Sequence, residues 1–354
     1  MFASSGIQKC ADQLAQLLAE PLSSIELLPG DVDDWSSAGL TVEMPFLLQE
    51  GNLGIPINCL YKLYPLAATQ FTPALKTYRA APSPASAAPV LSSSSIVVLA
   101  NPAHQTTLNA RKALVQNSHL DPRRELDFTA HLLAAGKDAA KQSTLWDHRR
   151  WLLSWSYPCA ASRETSGGVH PRGWSRDGSR CSALPPSIIE RELALALRAC
   201  EMYPRNYHAW VYRHAIFESV RHMLSEATSP RSELLELVVR EAQRIMAWID
   251  RHVADYTAAQ HVCSVVLAFH EYAPSADSVA PDGNRVSGRP SPLSNPHVLA
   301  EHAMELLRTY PEHEALRRYL RLALRMFPPP AELARRANEL LHEGEINTPI
   351  RIAV

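Results

Sequence analysis

The sequence predicts an all-α fold, an α-α solenoid of about five helical hairpins, and three observations predict it. Glycine is scarce, at 13 against 27 prolines in 354 residues, while Ala, Leu and Arg are abundant. Apolar positions recur at three and four residues, as in Leu234, Leu235, Val238, Ala242, Ile245, Met246 and Ile249, the stripe of a helix that buries one face. A frame also repeats along the chain: Pro, then six residues to a large anchor, then three more to Arg.

Residues 1–79 read as a partly irregular lead-in that caps the first repeat, with a turn at Gly51-Asn52-Leu53-Gly54. Residues 80–95 are rich in Pro, Ala and Ser and are expected to form an unstructured linker. The repeats fill 96–326. The first is Asn101-Pro102 with anchor Leu108 and then Arg111. In the second, Ala140 stands in the proline position, Trp146 is the anchor and Arg149 follows. The third is complete, from Tyr203-Pro204-Arg205-Asn206-Tyr207-His208 to Trp210 and Arg213. Two more are eroded: Ala259 and Val262 hold the anchor and Arg positions in the fourth, Arg317 and Leu320 in the fifth.

The intervals support this register. Anchors 108 and 146 lie 38 apart. The interval from 146 to 210 is 64, and setting aside the 30 residues of 158–187 leaves 34. That from 259 to 317 is 58, and without the 24 residues of 273–296 it is again 34. Both stretches are rich in Pro, Ser, Gly and Arg, so they are expected to be disordered insertions at the edge of a stack. Helix starts are expected at a Ser187/Glu190 capping box, at Ser229-Pro230 and at Asp121-Pro122. Within 327–354, Pro328 to Pro330 precede a last helix, Ala331 to Glu343, and a tail.

Composition excludes several functions. Thirty-five Lys and Arg balance 36 Asp and Glu for a net charge of -1, which argues against a nucleic-acid partner held by charge. Six scattered cysteines form no C-x-x-C pair, so reduced thiols and a cytoplasmic location are expected, with no metal held by this chain. No apolar run is long enough to span a bilayer. The histidines, His148 and His208 included, lack ligand spacing and read as structural. The anchors Trp146 and Trp210 read as hairpin core, and Arg111, Arg149 and Arg213 as partners in internal ion pairs.

At Asn206-Tyr207-His208-Ala209-Trp210 to Arg213, and at Trp146-Asp147-His148-Arg149-Arg150-Trp151, the sequence resembles the alpha subunits of protein prenyltransferases. The resemblance covers about residues 96–326. It implies a right-handed superhelix of hairpins wrapped around a separate beta subunit that carries zinc and most of the isoprenoid pocket, with no activity expected from this chain alone. By position, Lys141 matches a lysine that faces the isoprenoid diphosphate, and Tyr207 and His208 match an active-site Tyr-His pair. Ser143 departs from the family, which usually has Tyr there. The function this implies is geranylgeranyl transfer from geranylgeranyl diphosphate to a cysteine of a protein substrate, with a Rab geranylgeranyltransferase type beta subunit as partner. Erosion of the fourth and fifth repeats leaves an inactive helical-repeat adaptor as the alternative.

Overall fold

The computed structural model describes residues 4–158, 184–226, 231–273 and 291–346, which form fourteen α-helices, one 3-10 helix and three short strands. Two compact units divide the chain: Met1–Leu184 with Arg191–Arg213, and Pro185–Glu190 with His214–Val354.

In the first unit, α1 (Ser4–Leu17) precedes β1 (Ser24–Leu28), β2 (Leu47–Gln49) and β3 (Asn52–Pro56). They make a sheet in the order β1-β3-β2, with β1 parallel and β2 antiparallel to β3. Ile25, Leu53 and Ile55 are buried in it, so the lead-in is more ordered than its composition indicates. Gly51 turns the chain from β2 into β3 at φ 80, a conformation that a β-carbon disfavours. Leu53 and Gly54, expected in that turn, lie inside β3.

α2 (Ile57–Ala80) packs on α3 (Pro84–Ala100), and α3 overturns the expectation of a linker at 80–95. Ser83 caps α3 in a capping box with Ser86, and Pro84 sits in its first turn, where a missing N–H costs nothing. Its buried serines bond back to the helix: Ser93 Oγ to Pro89 O at 2.6 Å, Ser95 Oγ to Leu91 O at 2.9 Å. Hydroxyls satisfied in this way can enter a core, which a count of polar residues misses.

The hairpins then follow in the expected register. They are α3 with α4 (Gln105–Gln116); α5 (Pro122–Ala135) with α7 (Ser143–Ser156), joined through short α6 (Lys137–Ala140); α8 (Pro186–Met202) with α9 (Tyr207–Ser225); α10 (Arg231–Arg251) with α11 (Tyr256–Tyr272); and α12 (Val298–Thr309) with α13 (Glu314–Met326). Leu108, Trp146, Trp210, Ala259 and Arg317 are each the fourth residue of the second helix of their hairpin. Within the first unit α4 packs on α7, and within the second α11 packs on α13, so second helices neighbour second helices. α14 (Ala331–Ile346) closes the second unit against α12 and α13 and outruns the expected end at Glu343.

Asp121 caps α5 as expected, accepting from Arg123 N at 2.9 Å. Ser187 does not cap α8. The helix starts at Pro186, and Ile188 N and Ile189 N both donate to Pro185 O, which places Ser187 inside the first turn. Ser229-Pro230 lies outside the described residues, as does most of the two expected insertions. Their margins are narrower than expected, since Leu184 and Leu293 are already buried. No helix among the described residues is long and apolar enough to cross a membrane.

Candidate functional site at the hairpin edge

Hydrogen bonds join the turns that open α7 and α9. The Trp146 indole Nε1 donates to Ala140 O at 2.8 Å, and Asn206 Nδ2 donates to the same carbonyl at 2.7 Å. A carbonyl has two lone pairs, so one oxygen serves both donors. Asn206 Oδ1 also accepts from Ala209 N at 3.1 Å and thereby starts α9. Lys141 follows Ala140 and Tyr207 follows Asn206, so this shared carbonyl brings Lys141, Tyr207 and His208 to adjoining turns. Lys141 Nζ donates to Asp138 at 2.7 Å, and that bond holds its pKa above the ordinary lysine range. Tyr207 is 69 % exposed, with its ring edge-on to His208 at 5.5 Å. The edge thus offers a cation, a phenol and an imidazole. It can hold an anion, but the three groups include no activated nucleophile. Among the described residues no three His, Cys, Asp or Glu side chains are grouped to hold a metal ion.

Beneath the edge, Arg111 and Arg149 form buried ion pairs. Arg111 grips Glu125 in a fork, Nε to Oε1 at 2.8 Å and Nη2 to Oε2 at 2.5 Å, while Nη1 donates to Ser94 and Ser95. Arg149 grips Glu192 at 2.6 and 2.7 Å and also reaches Thr129 Oγ1 at 2.9 Å. Arg213, equally buried, donates to the carbonyl of Leu193. Each glutamate has a second partner two residues beyond the anchor of its own hairpin: His148 Nε2 on Glu125 at 2.8 Å, and Tyr212 OH donating to Glu192 at 2.6 Å. In the second unit His261, two beyond Ala259, meets Glu241 at 2.9 Å.

Sequence reading missed these glutamates. A usable signal was the polar residue at the same register in three hairpins, His148, Tyr212 and His261, all buried. Burial alone would raise the Glu125 carboxyl, but the Arg111 guanidinium and the His148 hydrogen bond outweigh it and hold the pKa at about 2. Burial lowers His148 despite its Glu125 partner. Burial, and then the Glu192 charge, push Tyr212 well up, so it remains a donor. In the fifth hairpin Arg317 replaces the Trp anchor and keeps its bond: Nη2 donates to Pro311 O, six residues back, at 2.7 Å. Trp146 reaches the carbonyl of Ala140, also six back.

Comparison with known proteins agrees with this register. The family described as "Protein prenyltransferase alpha subunit repeat" matches residues 189–220, which hold the turn into α9, Trp210 and Arg213. The chain is 24 % identical over 288 residues to protein prenyltransferase alpha subunit repeat-containing protein 1 of Danio rerio, covering 77 % of this chain and 62 % of the relative. It is 23 % identical over 292 residues to protein prenyltransferase alpha subunit repeat-containing protein 1-B of Xenopus laevis, with the same coverage. To the Homo sapiens protein of the first name it is 23 % identical over 295 residues, covering 77 % of this chain and 66 % of that one. The match therefore spans less than two thirds of the length of these relatives. One hairpin of the chain thus matches the prenyltransferase alpha subunit repeat, and 77 % of the chain is similar to proteins named for that repeat.

Proposed function

We propose that the chain is the alpha-type subunit of a heterodimeric protein prenyltransferase that transfers a geranylgeranyl group from its diphosphate to a cysteine of a protein substrate. The observation that carries this reading is the Ala140 carbonyl shared by Trp146 and Asn206, which sets Lys141 beside Tyr207 and His208 at the hairpin edge. In the transfer a C–S bond forms to the substrate thiolate, a C–O bond breaks, and diphosphate leaves with the charge. A fixed ammonium near that diphosphate stabilises the charge as it develops. Tyr207 and His208 would border the lipid and the peptide. In this reading zinc belongs to the beta subunit.

Co-expression with a Rab-type geranylgeranyltransferase beta subunit tests the reading. A 1:1 complex on gel filtration supports it, and two separate peaks overturn it. The second reading is an adaptor that kept the fold without transfer, and the Lys141 pairing with Asp138 favours it because the ammonium is already engaged. A stable complex that transfers no lipid would support the adaptor.

A further inference from the structure

A cavity of about 340 Å³ opens in the first unit between the end of α1, α3 and α5, and Lys141, Tyr207 and His208 are not among its lining residues. Leu18, Leu22, Leu91, Leu120 and Phe128 supply apolar walls, and the saturated Arg111–Glu125 pair lies at the polar side. Small-molecule sites run from about 300 to 1,000 Å³, so this one suits a compact ligand and not a long lipid.

Charge narrows the choice. Glu125 is taken by Arg111 and His148, and Asp127 accepts from Arg191 at 2.9 Å. Burial lowers the pKa of His131, which favours its neutral form. That leaves one cation, Arg124, and one anion, Glu20, both exposed and neither in an ion pair among the described residues. The helix ends reinforce both. Arg124 is the third residue of α5, at the positive end of the helix. Glu20 follows the last turn of α1, where its N–H bonds Leu17 O at 3.2 Å, at the negative end. Two opposite charges, unpaired among the described residues, therefore line the same apolar chamber.

We propose that this cavity binds a free apolar α-amino acid, with the carboxylate at Arg124, the ammonium at Glu20 and the side chain among Leu18, Leu22, Leu91 and Phe128. A simple carboxylate or amine leaves one pole unanswered. A zwitterion with an apolar side chain answers all three surfaces.

Calorimetric titration of the full chain with L-leucine and L-phenylalanine tests this, alongside isocaproate, which lacks the ammonium, and isoamylamine, which lacks the carboxylate. Saturable binding of the amino acids is expected, with each truncated analogue about tenfold weaker. Arg124→Gln should weaken leucine about tenfold and leave isoamylamine unchanged. Glu20→Gln should weaken leucine likewise and leave isocaproate unchanged. Both substitutions are at exposed positions, and an unchanged melting temperature would confirm that they fold. No saturable binding at millimolar leucine overturns the proposal. So does isocaproate binding as tightly as leucine with no effect of Glu20→Gln.

Discussion

In α4 and α7 the seventh residue is an arginine buried against a glutamate of the following helix, whereas in α11 and α13 the same position holds Val262 and Leu320. The hairpins have the same register in both regions. What differs is how each tolerates change: an apolar contact accepts many shapes, but a buried fork needs one partner at one place. The anchor shows the same economy of geometry over chemistry, since Arg317 reaches the carbonyl six residues back just as the Trp146 indole does.

The largest test of the contrast is Arg149→Met. It leaves Glu192 buried without its counter-charge and should cost about 3–5 kcal/mol in urea unfolding, while Arg149→Met with Glu192→Met should recover most of that. If the double variant is no better than the single, the ion pair is not what makes the joint intolerant.

Acid should also act on the first unit. Glu125 has a folded pKa of about 2 against an ordinary 4.5, so its contribution is present above pH 4.5 and is lost as pH falls towards 2. The loss should be roughly 3 kcal/mol. His148 is also lowered from 6.5, so protonation of the unfolded chain begins to favour unfolding as pH falls through 6.5. Unfolding midpoints from pH 7 to 2 check both, and replacing Glu125 by Gln should remove the lower step.

Two smaller effects sharpen the comparison. Arg317→Met removes the bond to Pro311 O and should cost about 1 kcal/mol by thermal unfolding, whereas Arg317→Trp restores a donor and should cost less. Arg205 takes φ 57 in the turn before α9, so Arg205→Gly should stabilise by about 0.5–1 kcal/mol.

The hairpins were legible because the anchor recurs at fixed spacing and every anchor falls at the same helical position. The joints were not, because Glu125 lies 21 residues before its anchor and Glu192 only 18, with α6 making up the difference. The helix α3 was illegible for another reason: composition counts a serine as polar whether or not its hydroxyl bonds back to the helix, as Ser93 and Ser95 do. Of the candidate site, Lys141, Tyr207 and His208 were legible only by resemblance. The bond that joins their turns runs from a side chain to a main-chain carbonyl, and no sequence pattern records it.

The most direct measurement is single-turnover transfer of labelled geranylgeranyl by the chain in complex with a Rab-type beta subunit, with and without Lys141→Ala. The account predicts transfer by the unmodified pair and a large fall in rate for Lys141→Ala, with complex formation and unfolding midpoint unchanged. An equal rate for the two proteins would contradict the role of Lys141, and no transfer by an intact complex would contradict the enzyme reading.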